Sequence, residues 1–336
     1  MTKWKPILAY EYERPVELIE VYTAEIRDKR KTSELLEIVC RCWPLAHLSH
    51  LKRVRKSSKQ SLHILLCEKK ECGDSVEQAL LESFSQFGVS EALDWLRGFQ
   101  ITTVPRYAPL TRQQFETSSL HWSTSFHENK RVTQALSGQN FSKDDLDEMN
   151  GYTSFAVAVA REGKRLGKGF DGAVIVDPAL GKILAVACDH STGADPLQTA
   201  VMVCIDLVAQ GQGGGVYNLG RECESTEPVL QRCTIDKLLF DVKWERSDLE
   251  LVPRGKVKTK QPGSIIPYLC TGYDLYAARE PSVMCAMALV HSRIGRVFYR
   301  EADAGFGGLG SCHRIHVQKG LNHHYEVYRQ EEQRAE

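Results

Sequence analysis

At 336 residues the chain is longer than one typical domain, so two domains are expected. A hydrophobic content of 42% with 26% charged residues describes a globular protein able to bury a sizeable core. The 43 basic and 43 acidic residues cancel, which excludes a global field for nucleic acid or membrane, and no apolar run approaches the ~18 residues of a membrane span.

The N-terminus, Met1 to Pro6, passes through Ile7-Leu8-Ala9 into charged residues and is too short for a signal peptide. The 11 cysteines are odd in number and scattered through a large chain, which suits reduced thiols in cytosol or nucleus rather than a disulfide framework.

Residues 1–104 read as a small α/β unit. Ile7 to Tyr10 and Leu62 to Cys67 are strand-like runs of large apolar residues. Asp28 to Cys40 carries Leu35, Leu36, Ile38 and Val39 among charges, as an amphipathic helix does, and Val76 to Gly88 and Ser90 to Leu96 also have helical spacing. The local exception to neutrality is Leu51 to Lys59, where Lys52, Arg53, Arg55, Lys56 and Lys59 stand in nine residues without an acid. Two readings are open: a loop that contacts RNA phosphates, setting affinity but not sequence, or a merely solvated loop.

Residues 105–149 form a linker and helices. Two prolines break up Thr103 to Leu110, and Thr111 is a candidate N-cap for helices running to Glu148. His121, Trp122 and His127 are given no chemistry.

From residue 150 to 330 the pattern is that of a second α/β domain. A helix is expected at Phe155 to Leu166, then strands Gly172 to Val176 and Lys182 to Cys188 joined by the turn Asp177 to Gly181. Pro196 to Ala209 is apolar on almost every side, as a buried helix is. Gly211 to Gly220 follows that helix and reads as a stop rather than a phosphate cradle. An insertion near 211–263 holds Leu251-Val252-Pro253-Arg254-Gly255, which resembles a thrombin recognition sequence but, lying mid-chain, reads as a chance match in a native loop. The core resumes with strand Tyr268 to Ala277, a buried helix with Pro281 at its first position, strand Arg296 to Tyr299, a flexible loop Gly305 to Ser311, strand His324 to Tyr328 and a frayed tail. This order gives a three-layer α/β/α sandwich.

Ser282 and Cys285 lie three residues apart after Pro281, on one face of a helix start. Zinc deaminases of nucleobases hold their metal with His-x-Glu and a later Pro-Cys-x-x-Cys, and a helix N-terminus favours the thiolates. Here the second cysteine is present and a serine stands at the first.

The element order resembles the cytidine deaminase fold from about residue 150 to 330. His50-Leu51-Lys52-Arg53-Val54-Arg55, Pro109 to Arg112, Thr124 to Glu128, Ala200 to Cys204, Leu269 to Tyr276 and Met284 to His291 together resemble the third-subunit family of the eukaryotic tRNA wobble adenosine deaminase. The resemblance implies a cytidine deaminase-like α/β/α fold with a smaller α/β N-terminal domain. It also implies a heterodimer in which a catalytic partner, subunit 2, converts adenosine 34 of tRNA to inosine, while this subunit helps to hold the tRNA. A cytoplasmic and nuclear location, with no membrane, goes with that role.

By the same resemblance the catalytic Glu position is Val201, the zinc-binding His position is Thr199, the first Cys position is Ser282 and the second is Cys285. Valine carries no proton, and general acid–base catalysis is worth ~10²–10⁴-fold. The family implies zinc, but hydroxyls replace imidazole and thiolate poorly, so little or none is expected here. Cys188, His190 and Cys204 are near in sequence, with nothing to place them in the site. The leading expectation is a non-catalytic, tRNA-engaging subunit. The alternatives are a protein-interaction scaffold without RNA and, opposed by the missing Glu and ligands, a stand-alone zinc deaminase.

Overall fold

The computed structural model describes residues 3–56, 61–72, 75–193, 195–217 and 268–331, in two compact units, Tyr10–Thr133 and Met1–Ala9 with Gln134–Glu336. The unit expected at 1–104 thus loses its first nine residues to the other unit and extends beyond 104. The Leu251 to Gly255 stretch, most of the insertion, Lys59 and the last five residues of the tail lie outside the described residues.

β1 is Lys3–Pro6, not the expected run from Ile7, and Tyr10–Glu13 is a single helical turn. The first unit then runs β2 (Leu18–Ile26), α1 (Thr32–Cys42), β3 (Val54–Lys56), β4 (Leu62–Glu68), α2 (Val76–Gln86), β5 (Leu96–Pro105), α3 (Arg112–His121) and the start of α4 (Lys130–Ser137). Its antiparallel sheet has the order β3-β4-β2-β5. Alternation along the strands divides the core between two faces. Tyr22, Ala24, Ile26, Ile64 and Leu66 meet Leu35 and Val39 of α1 and Leu80 and Phe84 of α2, while Val21, Leu65 and Val104 join Leu48, Leu51 and Trp122.

Some expectations in this unit need correction. Ser90–Trp95 is a 3-10 turn rather than a helix, because α2 already stops at Gly88 (φ +69). Thr103 to Pro105 belongs to β5 and not to a linker. Thr111 does cap α3, accepting from Gln114 N at 3.2 Å.

The second unit comprises β1, α5 (Lys143–Arg165), β6 (Gly172–Asp177), β7 (Lys182–Cys188), α6 (Ala200–Gly211), β8 (Asp274–Arg279), α7 (Val283–His291), β9 (Arg296–Glu301) and β10 (Glu326–Glu331). Its sheet order is β1-β10-β9-β8-β6-β7; β8, β9 and β10 are parallel, and β1, β6 and β7 run antiparallel to their neighbours. On one face α5 buries Tyr152, Phe155 and Val159 against Val174, Val186, Tyr276 and Phe298. On the other, α6 and α7 bury Val203, Cys204, Ala286 and Leu289 against Ile175, Ala187, Leu275 and Val297. This is the expected α/β/α sandwich.

α5 starts 12 residues before the expected Phe155, at a capping box in which Ser142 and Asp145 bond each other's backbone N–H. β8 starts at Asp274, not Tyr268, because Leu269 (φ +44) and Gly272 (φ +79) turn the chain first.

Candidate functional site

α6 and α7 each begin at a hydroxyl residue. Thr199 is the N-cap of α6, its side chain accepting from Met202 N at 3.3 Å. Ser282 is the N-cap of α7, accepting from Cys285 N at 3.4 Å. The expected Pro281 start is therefore two residues early: serine is a strong N-cap, and the helix opens after it at Val283.

The two caps meet at Cys285. Thr199 Oγ1 and Cys285 Sγ share a hydrogen bond of 3.2 Å. Cys285 is 3% exposed; burial pushes its thiol pKa up, against the smaller opposing effect of the Ser282 and Thr199 hydroxyls. Val201, second residue of α6 and 1% exposed, packs in the same core as Cys285 and Ala286. Thr199, Val201, Ser282 and Cys285 thus lie at the starts of α6 and α7, which meet through the Thr199–Cys285 contact.

The donor set does not fit a zinc ion. It offers two neutral hydroxyls, each already accepting a backbone N–H, and one thiol held toward its protonated form. Cys188 meets His190 at 3.4 Å and Cys204 donates to Ala173 O at 3.2 Å, so both are engaged elsewhere. Among the described residues no cluster of three or more His, Cys, Asp or Glu side chains could hold a metal.

One wall of this region is built by Glu280, which the sequence reading passed over. It is 2% exposed; one carboxylate oxygen accepts from Leu309 N (2.9 Å) and Ser311 N (3.0 Å), the other from Asp303 N (3.0 Å) and the Ser311 hydroxyl. Gly308 N donates to Pro281 O at 2.8 Å, and Ser282 bridges to Gly307. A Cβ on Gly307 would stand 2.4 Å from the Glu280 carboxyl carbon. The loop expected to be flexible is therefore fastened to the start of α7, and its glycines permit the close approach.

In the first unit the basic run divides. Arg53 is half-buried, and its Nη2 donates to Trp43 O (2.6 Å), Leu66 O (2.8 Å) and Val39 O (3.4 Å), two of them carbonyls at the end of α1. Arg55 donates to His121 O at 2.7 Å and lies 4.4 Å over the ring of Trp122. Lys52 and Lys56 are exposed. The expected loop is, over Val54–Lys56, the strand β3.

Further candidates were missed because they are scattered along the sequence. Tyr107, 40% exposed, has the Arg14 guanidinium 3.8 Å and that of Arg106 5.3 Å from its ring centre. Arg106 also lines a groove of about 550 Å³ with Ile19, His47, Lys69 and Lys70. Its charges are largely paired: Lys70 and His47 with the buried Glu68, Lys69 with Glu20, and Arg106 with Glu17. The pairing Arg106-Tyr107 was a usable signal, a cation beside an aromatic residue between two prolines.

Comparison with known proteins bears on both units. Residues 19–122 match the family model described as the tRNA-specific adenosine deaminase TAD3 N-terminal domain. The chain is 42% identical over 335 residues to the Danio rerio "Probable inactive tRNA-specific adenosine deaminase-like protein 3", covering 96% of this chain and 90% of that protein. The Mus musculus protein of the same name is 42% identical over 334 residues, covering 96% and 88%. The Saccharomyces cerevisiae "tRNA-specific adenosine deaminase subunit TAD3" is 26% identical over 325 residues, covering 93% and 84%.

Proposed function

The chain belongs to the tRNA-specific adenosine deaminase-like protein 3 family, and from that premise we propose that it is the non-catalytic, tRNA-engaging subunit of a heterodimeric deaminase that forms inosine at position 34 of tRNA. The observation that carries this reading is Val201, buried beside the Thr199–Cys285 contact where a deaminase of this architecture needs a carboxylate. Attack of hydroxide on C6 of adenine requires a proton to be delivered and removed, and an isopropyl group can do neither. The chemistry then falls to a catalytic partner subunit, and this chain contributes a surface.

The tRNA surface is placed on the first unit. Lys52 and Lys56 supply exposed cations for phosphate, and Tyr107 beside Arg14 and Arg106 supplies a ring on which an unpaired base can stack. A second reading, a scaffold that touches no RNA, draws support from the commitment of Arg53 and Arg55 to backbone carbonyls. The role assigns the protein to cytoplasm and nucleus, where tRNA is available.

Co-expression with a catalytic deaminase subunit, followed by an inosine assay on tRNA, tests the proposal. The lone chain is expected to give no deamination of adenosine, cytidine or tRNA, with or without Val201→Glu, and the pair to give inosine at position 34. Turnover by the lone chain would overturn it.

A further inference from the structure

By the resemblance Thr199 and Ser282 stand where zinc deaminases of nucleobases carry metal ligands, and each hydroxyl has a definite partner here. We propose that Thr199, Ser282 and Cys285 form a metal-free staple that fastens the N-termini of α6 and α7 together in place of a zinc ion.

Three observations support the staple. Each hydroxyl satisfies a backbone N–H at a helix start, Met202 N for Thr199 and Cys285 N for Ser282, which would otherwise be left without an intrahelical partner. Thr199 then bonds across to Cys285 Sγ at 3.2 Å, so the two caps are joined through a side chain that is itself 3% exposed. The adjoining loop is tied independently by Glu280, leaving no part of the α7 start to be held by a bound ion.

A zinc ion works against this arrangement in two ways. It would have to take two neutral hydroxyls, each already engaged by a backbone N–H, in place of imidazole and thiolate, and it would need Cys285 as a thiolate in an apolar surrounding made by Val201 and Ala286. The usual zinc cross-link is therefore replaced by two caps and one hydrogen bond, and the fold becomes independent of metal supply. The inference stands whether or not the chain binds tRNA.

The test is elemental analysis of the purified full chain together with thermal unfolding, with and without a strong chelator. Well under one zinc per chain is expected, with the same midpoint in both conditions. Thr199→Val keeps the shape but removes both hydrogen bonds, and should lower the midpoint by about 2–4 °C; Thr199→Ser keeps the hydroxyl and should restore most of it. About one zinc per chain that is lost on Cys285→Ala would overturn the proposal. So would a midpoint that falls with chelator in the parent chain, or Thr199→Val and Thr199→Ser chains that both unfold where the parent does.

Discussion

The five cations between Lys52 and Lys59 look alike in sequence, yet the described ones do different work. Arg53 brings a guanidinium to Trp43 O at the negative end of α1, where a cation is favoured; Val39 O, which it also approaches, already accepts from Trp43 N. Its removal takes a charged donor from Trp43 O and Leu66 O beneath the surface. Hydrogen bonds to charged groups contribute roughly 1.5–3 kcal/mol each, so Arg53→Ala is expected to cost at least ~2 kcal/mol in urea unfolding, whereas Lys52→Ala with Lys56→Ala should stay within about 0.5 kcal/mol. Charge was legible in the sequence and its partner was not, because those carbonyls lie 10 to 14 residues away. The positions of Val201 and Cys285 at two helix starts were legible for the opposite reason: they lie within one turn of the N-caps Thr199 and Ser282.

Elements were read well where periodicity was strong and poorly where a boundary depended on a contact. Both buried helices, α6 and α7, and the β6–β7 hairpin were recognisable. The Gly305 to Ser311 loop was misjudged because glycine reports freedom in the unfolded chain, while here it permits the approach of Glu280 from the far side of Pro281. The turn at Ile315–Val317 was equally invisible, and it carries a pH dependence. His316 is 1% exposed and its Nε2 meets Ile7 O at 2.8 Å; burial pushes its pKa down to about 4. The unfolded chain takes up this proton below its ordinary value near 6.5, but the folded chain refuses it until about 4. The stabilisation is complete above that ordinary value and is lost as pH falls from there to about 4, by roughly 3 kcal/mol at most. Unfolding midpoints measured across this window should therefore fall with pH, and His316→Gln should flatten the decline.

At the scale of the molecule, the α/β/α class followed from the order of helices and strands, but the closing of the second unit's sheet did not. β1 pairs with β10, Lys3 opposite Glu331, and Trp4 meets Phe298 edge-on at 5.5 Å. A pairing between the two ends of a chain leaves no local pattern, and it is why the first nine residues were assigned to the wrong unit. The proposed tRNA surface likewise draws on residues distant in sequence, and its two components can be tested apart. Phosphate contacts release counterions, each adding ~0.7 to the salt slope on single-stranded nucleic acid and ~0.9 on a B-DNA-like duplex. Stacking on an aromatic ring is worth roughly 1–3 kcal/mol per base and releases few ions. With the catalytic partner bound, Lys52→Ala with Lys56→Ala should therefore weaken tRNA binding and flatten its dependence on salt. Tyr107→Ala should weaken it by about tenfold or more at an unchanged slope. Titrations of tRNA at several salt concentrations read both quantities from one experiment. Unaltered affinity and slope in both variants would remove the first unit from the tRNA and leave the scaffold reading in its place.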